Sequence, residues 1–245
     1  MVVYGLIGKS LKHSFSKKYF EQKFKVQKID NVAYRNFEFG SVLQIKNKLS
    51  KIKGLAGLNV TIPYKLSILP YLDKIDEVAE NTGAVNTIKI SKNGMWMGYN
   101  TDVYGFATSL KPFLTNRHEK ALILGTGGAS KAIVYALKQL NISVVLVSRD
   151  KSKADLTYDD LNEYVFKACK LIINTTPLGT WPDSEKSPDI PFEFLTPEHL
   201  VYDLIYNPEK TLFLKQAESA GATIMNGLNM LKLQAEKSWE IWNKT

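Results

Sequence analysis

The sequence predicts an α/β protein of two domains built on mostly parallel sheets. Three observations predict it. Apolar strand-like runs alternate with helix-patterned segments through the whole chain. A polar break, "TNRHEK" (115–120), divides the alternation into two blocks. The second block opens on a glycine-rich strand-to-helix turn, "ALILGTGGASKA" (121–132).

Taken in order, the first block reads "VVYGLIG" strand, "SKKYFEQKF" helix, "VAYRNFEF" strand, "SVLQIKNKLS" helix and "GLAGLNVTI" strand. A helix is expected around 64–81, then two strands, "AVNTIKI" and "MWMGYN", joined by "SKNG", a hairpin signal. A helix from about Asp102 to Leu114 leads to the polar break. The second block continues with "ALILG", a helix over 128–140, "SVVLVS", "LIINTT" and "LVYDLI". A helix over 209–220, a strand "ATIMN" and a last helix over 227–243 complete it. Leu228, Leu231, Ala235, Trp239 and Trp242 form an apolar stripe on that last helix, so it must pack on something. The boundary is placed inside 102–118: a first domain over 1–103, completed by the last helix (227–245), and a second over 104–226.

Composition narrows the function classes. The chain of 245 residues is 44% hydrophobic and 23% charged, an ordinary globular balance. No apolar run approaches the roughly 20 residues of a bilayer span, and "MVVYGLIGKS" lacks the pattern of a signal peptide. The single cysteine, Cys169, excludes an internal disulfide and fits a reducing compartment, so a cytoplasmic location without membrane attachment is expected. His13, His118 and His199 have no metal-ligand spacing and read as structural or exposed. The net charge of +8 invites a nucleic-acid partner. Only Arg35, Arg117 and Arg149 of the 32 basic residues are arginine, however, and the lysines are scattered, so a solvated surface and no nucleic-acid binding are expected. A small anionic substrate or cofactor would be drawn by the same field.

Two stretches carry chemistry. In "NVTIPYK" (59–65), Pro63 holds Ile62 extended and suits a helix start. Lys65 then falls in the first turn, the wrong end for a cation. A lysine serving as a base near neutral pH needs its cationic form destabilised, and a helix start with partial burial is such a setting. In "ALILGTGGASKA", Gly125, Gly127 and Gly128 allow a tight turn and let the backbone approach a pyrophosphate at a helix N-terminus, with Ser130 at the third glycine position of the dinucleotide fingerprint. Roughly 20 residues on, an NAD enzyme usually carries an acidic residue. Here "SRDKSK" offers Ser148, Arg149 and Lys153, cations suited to the 2′-phosphate of NADP, with Asp150 as a contrary charge.

These stretches and others in the same order resemble the shikimate dehydrogenase family over nearly the whole chain. "LIGKSLKHSFSKKYF" is similar to its substrate motif, "GLNVTIPYK" to its catalytic strand–helix junction, and "GAVNTI" and "GYNTDVYGF" to two further site motifs. "GTGGASKA" matches its cofactor turn, "NTTPLGT" a later strand–loop and "NGLNMLKLQA" its C-terminal helix. The resemblance implies a substrate domain followed by a Rossmann-type NADP domain, and NADP-dependent interconversion of shikimate and 3-dehydroshikimate in chorismate biosynthesis. It makes Lys65 and Asp102 the catalytic pair. Ser14, Ser16, Thr61, Asn86, Tyr206 and Gln234 would bind the substrate. Glu77, Gly125, Thr126, Gly127, Gly128, Ala129, Ser148, Arg149, Lys153, Asn174, Thr175, Leu204 and Gly227 would hold the cofactor. Two departures stand out: Asp150 occupies a position where the family usually has threonine, and the stretch between Arg149 and Asn174 is short.

Local roles compete with these assignments. Ser14 and Ser16 could cap the following helix, and Asp102 could cap its own. A quinate/shikimate dehydrogenase using NAD(P), or a catalytically silent NADP-binding protein, are the other functional readings. A monomer or homodimer is expected.

Overall fold

The computed structural model describes residues 1–11 and 14–244, so His13 lies outside the described residues. The chain forms two compact units, one of residues 1–101 and 235–244, the other of residues 102–234.

The first unit contains β1 (Val2–Gly8), α1 (Phe15–Val26), β2 (Val32–Glu38), α2 (Ile45–Leu49), β3 (Leu55–Val60), α3 (Tyr64–Ser67), β4 (Lys74–Ile75), α4 (Glu77–Thr82), β5 (Thr87–Ile90) and β6 (Trp96–Tyr99). Its six strands lie in the order β2-β1-β3-β5-β6-β4. β1 pairs with β2 and β3 in parallel, and β5 enters antiparallel because the "SKNG" turn folds it back on β6. Gly94 supplies the left-handed residue of that turn at φ +81. Both sheet faces are covered: Ile7, Leu58, Val60 and Ile88 pack with Ile45, Ile68 and Trp96. Tyr4 and Leu6 pack with Phe20, Phe24, Ala235 and Trp242. That double burial is why these strands read as continuous apolar runs rather than alternating ones.

The single helix expected over 64–81 does not form. α3 stops at Ser67, a 3₁₀ turn at Leu69–Tyr71 contains Pro70, Leu72 is extended, and β4 pairs with β6 in parallel. Asp76 then starts α4, its side chain accepting from the Ala79 N–H at 2.8 Å. Proline and a competing cap divide what periodicity alone joins.

The second unit contains α5 (Asp102–Leu110), β7 (Lys120–Leu124), α6 (Gly128–Gln139), β8 (Ser143–Val147), α7 (Glu163–Ala168), β9 (Leu171–Asn174), β10 (Leu200–Asp203), α8 (Leu212–Ser219), β11 (Thr223–Met225) and α9 (Leu228–Asn243). All strand pairs are parallel, in the order β11-β10-β9-β7-β8. The order reverses at β7, which leaves its carboxyl end beside a topological switch point. α9 divides between the units, residues up to Gln234 in the second and those from Ala235 in the first. α5 ends at Leu110, short of the expected Leu114, because Lys111–Phe113 around Pro112 tightens to a 3₁₀ turn. α7 lies in a stretch for which the sequence suggested no element. Cys169 is buried, and burial pushes its thiol up. No helix of the described residues is long and apolar enough to cross a membrane.

His118 and His199 are structural. Each precedes a strand, and each accepts a backbone N–H on Nδ1, from Thr115 at 3.0 Å and Thr196 at 2.9 Å. His199 Nε2 donates to the Phe166 carbonyl at 2.9 Å. Burial, the main cause, lowers both imidazoles below 6.5, and for His118 the charge of His199 adds to it. The unfolded chain therefore binds protons below that value that the folded chain refuses, so their contribution to stability, complete at neutral pH, is lost on acidification. Asp203 has the opposite sign. Burial raises its carboxyl from 3.8 to about 6, so its contribution is complete in acid and lost as the pH rises through 6. Imidazole NMR titration is expected to place both histidines under 6.5; a midpoint above that for either would contradict the tautomers described.

Candidate active site

In the first unit, pairing register gathers polar residues at one sheet edge. Ile7 faces Val60, Asn59 faces Thr87 and Thr87 faces Tyr99, so the carboxyl ends of β1, β3 and β6 meet the start of β5. The chain segments leaving this edge carry Ser14, Thr61, Lys65, Asn86 and Thr101. Backbone bonds fix them: Thr61 N–H to the Ile7 carbonyl at 2.9 Å, Asn86 N–H to Tyr99 at 3.0 Å, and Val85 N–H to the Lys65 carbonyl at 2.8 Å.

Beneath the edge lies a buried hydroxyl and amide network that the sequence did not disclose. Tyr34 donates to Asn59 Oδ1 at 2.7 Å, and Ser16 is hydrogen-bonded to the same phenol. Asn59 Nδ2 donates to Ser238 Oγ at 2.9 Å, and Ser238 lies 2.7 Å from Thr87 Oγ1. Asn86 Oδ1 accepts from the Thr101 N–H at 2.7 Å and from Thr101 Oγ1 at 3.1 Å. Ser238 is fully buried on the apolar side of α9. A serine between Ala235 and Trp242 on that stripe was the one available signal, since a buried hydroxyl needs partners.

Ser14 and Ser16 separate in role. Ser14 sits at the N-cap position of α1 yet makes no capping bond, and its buried Oγ has no partner among the described residues. Capping therefore does not explain Ser14, whereas Ser16 interacts with Tyr34. Pro63 takes the N-cap position of α3, one place earlier than expected, leaving Lys65 second in the helix and half-buried. α3 is a single turn, so the long aligned helix start anticipated behind Lys65 is reduced to a few N–H groups. Glu77 is exposed in the first turn of α4.

In the second unit, Leu124, Val147, Asn174 and Asp203 align across the sheet, and the loops that follow line a cavity of about 470 Å³. Gly125, Thr126, Gly127, Ser148, Arg149 and Thr175 all contribute, with Thr176, Pro177 and Leu178 of the "NTTPLGT" stretch and with Tyr158, Ser187 and Asp189, which the sequence did not single out. Gly125 has φ +103, and a Cβ there would stand 2.9 Å from Thr175 Oγ1. Gly127 takes the N-cap position of α6, and a Cβ there would meet nothing within 4 Å. Open space above an uncapped N-terminus of a 12-residue helix, beside an arginine that makes no ion pair or hydrogen bond among the described residues, fits a dinucleotide phosphate. Gly128 and Ala129 form the first turn of α6 without lining the cavity.

Several expected cofactor residues are engaged elsewhere. Lys153 pairs with Asp150 at 2.6 Å, and Asp150 also accepts from Ser152 N–H and Oγ. These bonds, that of Lys153 foremost, hold the Asp150 carboxyl down at about 2, and neither residue lines the cavity. Asn174 is fully buried, donating to Asp203 at 3.0 Å and accepting from Thr176 N–H and Oγ1. Its side chain braces the end of β9 instead of facing a ligand. Leu204 and Gly227 meet closely, since a Cβ on Gly227 would fall 2.0 Å from the Leu204 carbonyl oxygen. Asp102 and Gln234 are buried at the two ends of the second unit's chain segment, and Tyr206 is half-buried, its phenol raised by burial.

Comparison with known proteins places these features. Residues 6–88 match the family model described as the shikimate dehydrogenase substrate binding domain. A shikimate dehydrogenase (NADP(+)) of Methanosphaera stadtmanae is 38% identical, covering 98% of this chain and 91% of its own. The crystal structure of shikimate 5-dehydrogenase from Thermus thermophilus, in complex with NADP(H) and shikimate, aligns with a TM-score of 0.88 at 26% identity, covering 99% of this chain and 94% of that one. Quinate dehydrogenase from Corynebacterium glutamicum in complex with NAD aligns at 0.87 and 28% identity, over 99% and 93%. With the polar edge of the first unit, the glycine turn of the second and a match along both, the chain belongs to the shikimate dehydrogenase family.

Proposed function

We propose that this protein is an NADP-dependent shikimate dehydrogenase, reducing 3-dehydroshikimate to shikimate reversibly. The observation that carries this is the match, along 98% of the chain, to a relative named for that activity. We assign NADP binding to the Rossmann-type second unit, residues 102–234, and most of the substrate contacts to the first.

NADP supplies the hydride acceptor for alcohol oxidation. Loss of hydride from a secondary alcohol requires its hydroxyl proton to leave as well, so the site needs a positioned base. Lys65 is assigned that proton transfer, with Asp102 as its partner carboxylate. In the reductive direction the protonated amine donates to the carbonyl oxygen. Ser14, Thr61, Asn86, Tyr206 and Gln234 are assigned to the substrate's carboxylate and hydroxyls, and Ser16 supports them through Tyr34. The Ser14 hydroxyl, which has no partner among the described residues, is the clearest of these. Ser14→Ala is expected to raise KM for shikimate by about tenfold, the scale of a hydrogen bond to a carboxylate, with the melting temperature unchanged because no cap is lost. A stability loss without a KM change would reverse that assignment.

Arg149 is assigned the 2′-phosphate, and the tie between Asp150 and Lys153 removes the contrary charge that Asp150 presents in the sequence. Absorbance at the nicotinamide band, followed while shikimate is titrated with each cofactor, tests the function. A higher kcat/KM with NADP than with NAD is expected. Equal values would remove the phosphate role of Arg149, and faster turnover of quinate than of shikimate would move the chain to the quinate branch.

A further inference from the structure

The segment between β8 and β9 is where this chain leaves the usual dinucleotide-binding layout. A six-stranded sheet of that type runs 3-2-1-4-5-6. Here β8-β7-β9-β10-β11 corresponds to 2-1-4-5-6, with the third strand missing. Its place is taken by two 3₁₀ turns, Lys151–Lys153 and Tyr158–Asp160.

This short replacement is firmly anchored. Leu156 forms a single parallel bridge to Val147, and the Asp155 carboxylate accepts from the Leu146 N–H at 2.8 Å. Asp160 accepts from Thr157 N–H and Oγ1, both at 2.8 Å, closing the second turn on itself. Leu156 and Leu161 are packed into the core on either side. Between these anchors the Tyr158 ring packs on the same core, and the residue lines the cofactor cavity together with Ser148 and Arg149. Burial raises its phenol, and the opposing influence is the charge of Arg149, which sets the hydroxyl in the field of that guanidinium. Lys153, the second cation of the stretch, is held by Asp150 outside the cavity. Asp189, a carboxylate among the lining residues, belongs to the loop that lies against Gly179, where the Lys186 carbonyl oxygen comes within 2.9 Å of a Cβ position.

We propose that Tyr158 is a specificity-determining residue for the adenosine 2′-phosphate, its hydroxyl donating a hydrogen bond to the phosphate that Arg149 neutralises. Tyr158 thereby fills the place of the second phosphate ligand that the sequence assigns to Lys153. The proposal rests on the NADP reading above and concerns only its adenosine end.

Calorimetric titration of the full chain with 2′,5′-ADP and with 5′-AMP tests it without turnover. Wild type is expected to bind 2′,5′-ADP the more tightly. Tyr158→Phe is expected to weaken 2′,5′-ADP roughly tenfold, the scale of one hydrogen bond to a charged group, while leaving 5′-AMP within about twofold. Tyr158→Ala, which removes the wall as well, should weaken both, with a thermal melt confirming that each variant folds. An unchanged 2′,5′-ADP affinity in Tyr158→Phe, or an equal loss for both ligands, overturns the proposal while leaving the NADP reading standing. A wild type that fails to distinguish the two ligands overturns both.

Discussion

Lys65→Ala is expected to leave the protein folded and to lower kcat by about 10³-fold, within the range that a positioned proton-transfer group supplies. The fold should survive because the substitution leaves in place the structural role of the main chain at Lys65. Its carbonyl accepts from the Val85 N–H at 2.8 Å. The neighbours that hold the turn are Tyr64, whose hydroxyl donates to the Phe39 carbonyl, and Ile68 just past the end of α3, which is fully buried. Removing a half-buried lysine from such a turn should move the melting temperature by no more than a few degrees, as for other substitutions away from a packed core. Lys65→Arg separates proton transfer from charge. Arginine keeps the positive charge and does not deprotonate in proteins, so this variant should remain about as impaired as Lys65→Ala. Recovery of most activity in Lys65→Arg would make the residue an electrostatic ligand for the substrate, and full activity in Lys65→Ala would remove it from the chemistry.

How far the sequence reaches depends on whether a feature is local. β5 and β6 and their turn follow from "SKNG" because Gly94 meets a backbone requirement stated by its neighbours. The same holds for the strand–turn–helix around Gly125 and Gly127. The stretch from Tyr64 to Thr82 fails for a related reason: its periodicity is helical, but Pro70 and the Asp76 cap act at single residues within it. The site divides along the same line. The assignment proposed for Lys65 draws on a local signal, an unusual strand–helix junction. The Ser14 hydroxyl left without a partner among the described residues, the internal use of Asn174 and the loss of Lys153 to Asp150 were not legible. Each depends on which of several nearby partners a polar side chain meets, and that is settled by packing. Tyr158 was hidden further still, because its importance comes from a strand that is absent.

Trp242→Ala is expected to give the largest stability loss, about 4 kcal/mol, in the middle of the range for truncating a buried aromatic. Trp242 stacks on Tyr4 with centroids 4.8 Å apart and lies 5.5 Å from Phe20. Gly57 on β3 makes room for it: a Cβ there would stand 2.4 Å from the indole, so no other residue fits opposite this side chain. Its Nε1 donates to the Ile88 carbonyl at 3.0 Å, tying the end of α9 to β5. Trp242→Phe keeps much of the ring packing but loses the indole hydrogen bond, a loss of about 1 kcal/mol, and should fall between wild type and alanine in urea unfolding. The consequence extends to binding. One turn before Trp242, Ser238 holds Asn59 and Thr87 beneath the sheet edge that carries Asn86 and Thr101. A loosened α9 end should therefore raise KM for shikimate in Trp242→Ala while leaving the calorimetric affinity for 2′,5′-ADP unchanged, since the glycine turn and Arg149 belong to the other unit. Equal losses at both sites would show that α9 supports the two units alike, and an unfolding midpoint close to wild type would show that the aromatic cluster does not depend on it.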